Sequence, residues 1–269
     1  MKLFKVLCIG GSDSCGGAGI QADLKAISAC GCWGTSVITA VTAQNTCGVS
    51  GIFPVVPRFI GKQMETVLSD VYVDAVKTGM LLSPEIISVV AKKVKKHGLS
   101  KMVVDPVMMA KGGKALLEKK ALTTLIKDLL PLAYAVTPNV PEAETLAKMA
   151  IGSVADMKEA ALKIHDLGVE NVLIKGGHLP SNGKTDVTDI LYNGNYYEFS
   201  SERINKRHLH GTGCTYASAL AAGIAKGNSI MDSALQARIL MIAAIKNAVD
   251  PGKGYGSVNV FGEYLRNKC

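Results

Sequence analysis

At 269 residues, with 48% apolar and 19% charged side chains, the chain is long enough for one large α/β domain and too apolar for intrinsic disorder. Its net charge of +8 comes with only 5% aromatic residues and no nucleic-acid-binding motif, which argues against a nucleic-acid partner and suits anionic small ligands. No segment approaches the ~20 apolar residues of a membrane span, so no membrane partner is expected.

Short runs rich in β-branched residues alternate with longer amphipathic segments. Residues 4–10 read as a strand, 19–31 as a helix and 35–43 as a second strand. A helix over 57–71 follows, with Pro57 in the first turn, where its missing N–H costs nothing. Buried strands are expected at 74–77, 102–105, 134–137 and 172–175, separated by helices near 84–97, 116–129, 141–149 and 154–167. Ser153 is a candidate cap for the last of these helices. The pattern then changes. Strands at 187–192 and 196–199 flank Asn193-Gly194, a two-residue hairpin signal, and helices over 213–226 and 230–249 follow. The alternation predicts a mostly parallel sheet covered by helices on both faces, with a small antiparallel hairpin near one edge. With no internal repeat or linker, residues 1–269 are expected to form a single domain.

The seven cysteines (Cys8, Cys15, Cys30, Cys32, Cys47, Cys214 and Cys269) make no disulfide framework, and Cys30 with Cys32 lacks the second half of a zinc site. A reducing compartment is the simpler reading. The apolar stretch near Lys2 and Lys5 is too short for a signal peptide, so a cytoplasmic location is expected. The run Lys92, Lys93, Lys95, Lys96 reads as a solvated helix face rather than a binding patch.

Three nucleotide signatures fail on context. Gly17-Ala18-Gly19-Ile20-Gln21-Ala22 matches G-x-G-x-x-A but does not follow its strand directly, and the next strand ends without a ribose-binding acid. Gly183-Lys184-Thr185 lacks the earlier P-loop glycine, where His178 stands, and is followed by a strand. Protein-kinase signatures are missing. A stronger phosphate cradle is His210-Gly211-Thr212-Gly213-Cys214, where glycines lead into an Ala-rich helix and backbone N–H groups can converge on an anion. The competing reading is a glycine-rich helix start made for packing.

Successive strand ends carry further candidates, and in open α/β sheets ligands bind beyond these carboxyl ends. Asp105 closes one strand. Thr137-Pro138-Asn139-Val140-Pro141-Glu142 closes the next, so two carboxylates and a carboxamide can hold Mg²⁺ through water. Alternatively, Asn139 caps a helix and Glu142 complements its dipole, and both readings can be true together. Lys175, ending a strand before Gly176-Gly177-His178, either faces nucleotide phosphate or is a snorkelling strand terminus. The loop from Gly10 to Gly19 is glycine-rich enough to wrap a small substrate. Gln44, in Thr42-Ala43-Gln44-Asn45-Thr46, presents a donor and an acceptor suited to an aminopyrimidine edge, although a lone loop Gln is usually only solvated.

Together these stretches resemble the hydroxymethylpyrimidine and phosphomethylpyrimidine kinases of the ribokinase superfamily. The matching blocks are G-S-D-S-C-G-G-A-G-I-Q-A-D-L-K from Gly11, T-A-Q-N-T from Thr42, K-T-G-M-L from Lys77, V-D-P-V-M from Val104, T-P-N-V-P-E-A from Thr137, K-G-G-H from Lys175 and H-G-T-G-C from His210. The resemblance implies a three-layer α/β/α ribokinase-like fold, ATP as co-substrate, Mg²⁺ as cofactor and a homodimer. It places an aminopyrimidine alcohol, and then its monophosphate, near Gln44, with Gly11, Ala18, Met80 and Val107 lining the pocket. It assigns Asp105 and Glu142 to the metal, Asn139, Lys175 and Asp189 to the nucleotide, and Gly211, Thr212, Gly213 and Cys214 to the anion hole at the transferring phosphoryl group. In resembling sugar kinases an aspartate stands at the place of Cys214. A cysteine has a reference pKa of about 8.5, which a helix N-terminus and a nearby cation can lower, so it can assist an alcohol; a mostly neutral thiol would also spare a phosphorylated acceptor like-charge repulsion.

Two departures are visible. Leu209 stands where relatives usually have Thr, removing a nucleotide-side hydroxyl, and Gly254-Tyr255-Gly256-Ser257 replaces a G-H-G-P type segment, expected to be a peripheral loop. The alternative functions are a pyridoxal or pyridoxine kinase of the same superfamily and a non-catalytic vitamer or nucleotide sensor. Gln44 and Thr212 argue against the first, and intact Asp105, Asn139, Glu142 and Lys175 against the second.

Overall fold

The computed structural model describes residues 2–110, 113, 115–179, 186–204, 206 and 209–262; Gly183-Lys184-Thr185 and Cys269 lie outside these residues. In chain order the elements are β1 Lys5–Asp13, α1 Gly19–Ala29, β2 Trp33–Asn45, β3 Gly48–Pro54, α2 Pro57–Leu68, β4 Ala75–Thr78, α3 Pro84–Lys96, β5 Met102–Val104 and α4 Lys119–Thr124. They continue with β6 Ala135–Val136, α5 Val140–Ala147, α6 Val154–His165, β7 Asn171–Ile174, β8 Asp186–Tyr192, β9 Tyr196–Glu202, β10 Leu209–His210, α7 Thr212–Ala225, α8 Ile230–Lys246 and β11 Gly256–Ser257.

Nine strands form one sheet in the order β3-β2-β1-β4-β5-β6-β7-β8-β9. The strands from β2 to β7 run parallel, and β1, β4, β5, β6 and β7 are buried almost throughout, as a sheet covered on both faces requires. The expected hairpin is β8–β9, turning at Asn193-Gly194 with Gly194 at φ +96°. A second antiparallel pair, β2–β3, borders the opposite edge and was not legible, because Gly48, Ser50 and Gly51 interrupt the apolar alternation of an edge strand. The helix expected over 116–129 begins only at Lys119, since Leu117 is drawn into a bridge with Leu82; its last turn widens to a π segment over Leu125–Leu129.

The helices divide between the two faces. Side chains of α2, α3, α5 and α6 build one core with Ile60, Met64, Ile87, Val90, Leu146 and Ile164, and those of α1, α7 and α8 build the other with Ile20, Ile27, Leu220 and Met241. Within α7, residues 215–225 are all buried, and its small side chains allow close neighbours: a Cβ on Gly223 would lie 2.7 Å from Ser233 Oγ on α8. Local signals set the helix starts. Ser153 accepts from the Asp156 N–H as expected, and Ser83 and Ser229 cap α3 and α8 in the same way. In the lysine run, Lys92 and Lys95 are exposed, but Lys93 and Lys96 pair with Glu65 of α2. Hydrogen bonds from Lys93, Lys96 and His97 hold the Glu65 carboxyl down at about 2.

One buried ion pair fastens α8 to the sheet. Arg238 Nη1 donates to Asp189 Oδ2 on β8, while Nη2 donates to the Val187 carbonyl at 2.6 Å and to Ser201 Oγ at 2.8 Å. Both side chains are over nine-tenths buried. Removing one partner strands the other charge, so Arg238→Met should destabilise the fold by about 3–5 kcal/mol in urea unfolding, and by far more than Arg58→Met at an exposed position. Equal losses would show that the pair contributes nothing beyond packing.

Candidate active site

The carboxyl ends of the parallel strands converge on a cavity of about 650 Å³. Every acceptor-side residue expected from the sequence lines it: Gly11 and Ala18 from the glycine-rich loop, Gln44 from β2, Met80 after β4 and Val107 after β5. The loop is held open around a buried carboxylate. Asp13 Oδ1 accepts the Cys15 N–H at 2.8 Å, and Oδ2 accepts those of Gly17 and Ala18 at 3.0 and 2.8 Å. Ser14 then clamps the loop to β2, its Oγ donating to the Gln44 carbonyl at 2.7 Å and accepting the Gln44 N–H at 2.9 Å. The β2–β3 register shifts between Ala43 and Gln44, which re-aims the Gln44 side chain, whose Oε1 accepts from Thr42 Oγ1 at 3.2 Å.

A second cavity of about 320 Å³ lies beside the first, lined by Val187, Asp189, Arg203, Leu209 and Ile242. Asn139, Lys175, Thr212 and Gly213 line both cavities. The expected phosphate cradle therefore stands where the two cavities meet; we call them the acceptor chamber and the donor chamber, after the substrates that the sequence leads us to expect in each. Gly211 starts α7 at φ +80°, and a Cβ on it would lie 2.0 Å from the Gly17 carbonyl oxygen. The glycine-rich loop and the cradle are thus in backbone contact, which only a glycine in the left-handed region permits.

Around the cradle, Lys175 Nζ donates to Asp105 Oδ1 at 2.9 Å, and Thr137 Oγ1 donates to the same oxygen at 3.3 Å. Asn139 and Glu142 form a reciprocal capping box on α5, each side chain accepting the other's backbone N–H at 2.9 Å. The capping reading is therefore observed, while Asn139 also lines both cavities. Burial pushes the Glu142 carboxyl up to about 7, with Lys175 pulling it back and Asp105 adding to the rise. Asp189 Oδ1 accepts the Gly176 N–H at 2.8 Å, and its Oδ2 accepts from Tyr216 and Arg238. It thereby fixes the turn after Lys175, and it lies in the donor-chamber wall.

Three features differ from expectation. The Cys214 thiol is not activated: burial pushes its pKa up to about 11, outweighing the pull of Lys77. The 254–257 segment is not peripheral, because Tyr255 lines the acceptor chamber, edge-on to His210 at 5.1 Å. Its Gly256 pairs with Leu209 in the β10–β11 ladder, so the two departures adjoin. Sequence reasoning also gave no role to Lys77 or Asp23, which form a fully enclosed pair at the acceptor chamber. The available signal was a lysine inside the otherwise uncharged strand Ala75–Thr78.

A family profile described as phosphomethylpyrimidine kinase matches residues 13–259. The chain belongs to that family. It is a kinase, a phosphotransferase that uses a nucleotide. It is 46% identical to the hydroxymethylpyrimidine/phosphomethylpyrimidine kinase of Bacillus subtilis, over 99% of this chain and 98% of that one. It is 49% identical to a thiamine biosynthesis bifunctional protein of Geobacter sulfurreducens, covering 94% of this chain but spanning about half (51%) of that protein's length. Among solved structures, the phosphomethylpyrimidine kinase of Clostridium difficile superposes with a TM-score of 0.80 at 44% identity, covering 90% of this kinase and 99% of that chain. An ADP complex of Bacillus subtilis pyridoxal kinase superposes with a TM-score of 0.90 at 37% identity, covering 98% and 100%. These neighbours establish the ribokinase-like α/β fold.

The contact between Gly17 and Gly211 makes a sharp test of the site. Gly211→Ala should lower stability by more than ~1 kcal/mol from the left-handed backbone alone and reduce kcat/KM for every acceptor through the Gly17 clash. Thermal unfolding and steady-state assays check this; an unimpaired Ala variant would show that the cradle tolerates displacement.

Proposed function

We propose that this kinase uses ATP to phosphorylate 4-amino-5-hydroxymethyl-2-methylpyrimidine and then its monophosphate, in thiamine biosynthesis. One observation carries the reading: the chamber holding Gln44 meets the donor chamber at the 211–214 cradle. The Gln44 amide can pair with a ring nitrogen and an exocyclic amine together, with Gly11, Ala18, Met80 and Val107 forming the apolar wall. Asn139 and Lys175 face the nucleotide phosphates, and Asp189 holds the Lys175 turn in register. Gly211, Thr212, Gly213 and Cys214 receive the transferring phosphoryl group at the start of α7, where backbone N–H groups favour negative charge. Residues 1–269 act as one ribokinase-like domain.

Mg²⁺ fits the residues present. Asp105 and Glu142 are two buried carboxylates facing one ammonium, that of Lys175, which leaves a local deficit of positive charge. Mg²⁺ keeps much of its hydration and is commonly held by one or two carboxylates, which matches this donor set. Asp105 and Glu142 would hold it, largely through water. When bound, the ion supplies charge neutralisation on the ATP phosphates.

The high pKa of Cys214 makes it a neutral thiol rather than a base. A loose phosphoryl-transfer transition state asks little of a base, and the hydroxyl proton of the alcohol passes to solvent. A neutral thiol also places no negative charge beside an acceptor that is itself a phosphate.

A homodimer is part of this reading. Val41 and Phe53 are cross-strand partners at the β2–β3 edge, Phe53 is 75% exposed, and Val56 and Phe59 nearby are also exposed, an apolar patch suited to a second copy. We place the protein in the cytoplasm. No helix among the described residues is long and apolar enough to cross a membrane, while similar bifunctional enzymes of rice and Arabidopsis are named chloroplastic.

The second reading, a vitamin B6 kinase, is favoured by the close superposition on pyridoxal kinases, among them a Staphylococcus aureus complex with AMP-PCP and pyridoxal at 36% identity and a TM-score of 0.89. Purified protein with ATP–Mg²⁺ and a panel of hydroxymethylpyrimidine, its monophosphate, pyridoxine and pyridoxal separates the two. The pyrimidines should be preferred, and Gln44→Leu should cost pyrimidine turnover roughly 100-fold while sparing any pyridoxal activity. Equal losses, or turnover of pyridoxal alone, would overturn the assignment, and binding without turnover would indicate a sensor. For the metal, Asp105→Asn and Glu142→Gln should each raise the Mg²⁺ concentration needed for half-maximal rate about tenfold or more, with unfolding midpoints confirming an intact fold. Unchanged Mg²⁺ dependence would remove both residues from that role.

A further inference from the structure

The roles assigned so far leave the most deeply enclosed charge in the molecule without a task. Lys77, at 0% exposure, places Nζ 2.7 Å from Asp23 Oδ1, and Ser218 Oγ on α7 donates to the same oxygen at 2.8 Å. Asp23 Oδ2 is buried without a hydrogen-bond partner. Stability does not explain this arrangement, since replacing a buried ion pair by apolar side chains is often neutral or stabilising.

Its location does explain it. Lys77 and Asp23 both line the acceptor chamber, and Lys77 Nζ lies so close beneath Gly79, another lining residue, that a Cβ there would be 2.9 Å away. Cys214 stands one helical turn before Ser218 on α7. Lys77, Asp23 and Cys214 all line the acceptor chamber. Burial opposes the Lys77 charge, but Asp23 beside it more than offsets this, and the lysine stays protonated. On the other side of the cradle, Lys175 is held by Asp105, with Nζ 3.4 Å from where a Cβ of Gly213 would stand. Two Lys–Asp pairs therefore flank the start of α7. Lys175 lines both chambers, and Lys77 the acceptor chamber.

We propose that Lys77 is the counter-charge for the phosphate that an acceptor already carries, held in place by Asp23 and Ser218. The proposal rests on the two-step reading above. In the first phosphorylation the acceptor is neutral and Lys77 gains little. In the second, an anionic oxygen of the acceptor phosphate forms a bond to the γ-phosphorus as the bond to its bridging oxygen breaks. ADP leaves with that electron pair, and no proton is exchanged with the chain. Two anionic phosphates must approach each other in this step, and a fixed ammonium on the acceptor side offsets their repulsion.

The test is kcat/KM for the alcohol and for the monophosphate in two variants. Lys77→Met/Asp23→Asn removes both charges together and avoids stranding either one. It should lose roughly tenfold or more on the monophosphate beyond its loss on the alcohol, expressed mainly in the monophosphate KM. Ser218→Ala, a milder change that keeps both charges, should show a loss in the same direction of roughly two- to tenfold. Equal loss on both acceptors in Ser218→Ala, or in the double variant where it folds, overturns the counter-charge role. Unaltered enzyme that phosphorylates neither pyrimidine would instead overturn the two-step reading itself, and the proposal with it.

Discussion

The backbone contact between Gly17 and Gly211 is the constraint on which the rest of the site depends. One residue belongs to the glycine-rich loop in the wall of the larger chamber, the other to the start of α7 where the two chambers meet, and 194 positions of chain separate them. No side chain intervenes, so the spacing between the two chambers is set by van der Waals contact between main-chain atoms, which cannot change rotamer. The Asp13 hydrogen bonds fix the loop side of this contact, and the buried, small-residue helix α7 fixes the other. Phosphoryl transfer depends mostly on positioning, and this contact supplies a fixed distance with few moving parts.

Charge is arranged around that fixed point with similar economy. The helix start offers N–H groups but no formal charge, and each of the two lysines beside it is tethered to an aspartate on a different strand or helix. Tethering keeps an ammonium protonated where burial would otherwise strip it, and holds it beside a helix start whose N–H groups would repel it. Glu142 shares Lys175 with Asp105 and forms no ion pair of its own, and burial, reinforced by Asp105, pushes its carboxyl up to about 7.

Much of this was legible in the amino-acid sequence. The parallel core could be read because β1, β4, β5, β6 and β7 are short runs of apolar residues bounded by glycine, proline or polar residues, and the β8–β9 hairpin because Asn-Gly has few other uses. The strand ends followed from the same pattern, and Gln44, Asp105, Asn139 and Lys175, each at or just beyond such an end, do line one cavity. What was missed depends on partners distant in sequence. Lys77 is unremarkable until Asp23, 54 residues earlier, is seen to neutralise it. The Cys214 thiol looked activated because a helix N-terminus and a cation are local features, whereas the burial that outweighs them is a property of the whole fold. Edge strand β3 was missed because glycines erase the period on which strand reading relies.

The pairing of β10 with β11 sets Leu209, one departure from the family pattern, against the segment that carries the other. Leu209 and Gly256 face each other across this short ladder, and a Cβ on Gly256 would lie 3.1 Å from Leu209 Cδ2. The same Cβ would lie 2.6 Å from Asp250 Oδ1 and 3.2 Å from the Val249 carbonyl oxygen, so position 256 is crowded from three directions and stays glycine, as in the G-H-G-P pattern, with Leu209 opposite it. Change in this segment falls instead on Tyr255 and Ser257, the residues on either side of a glycine that has no room to vary.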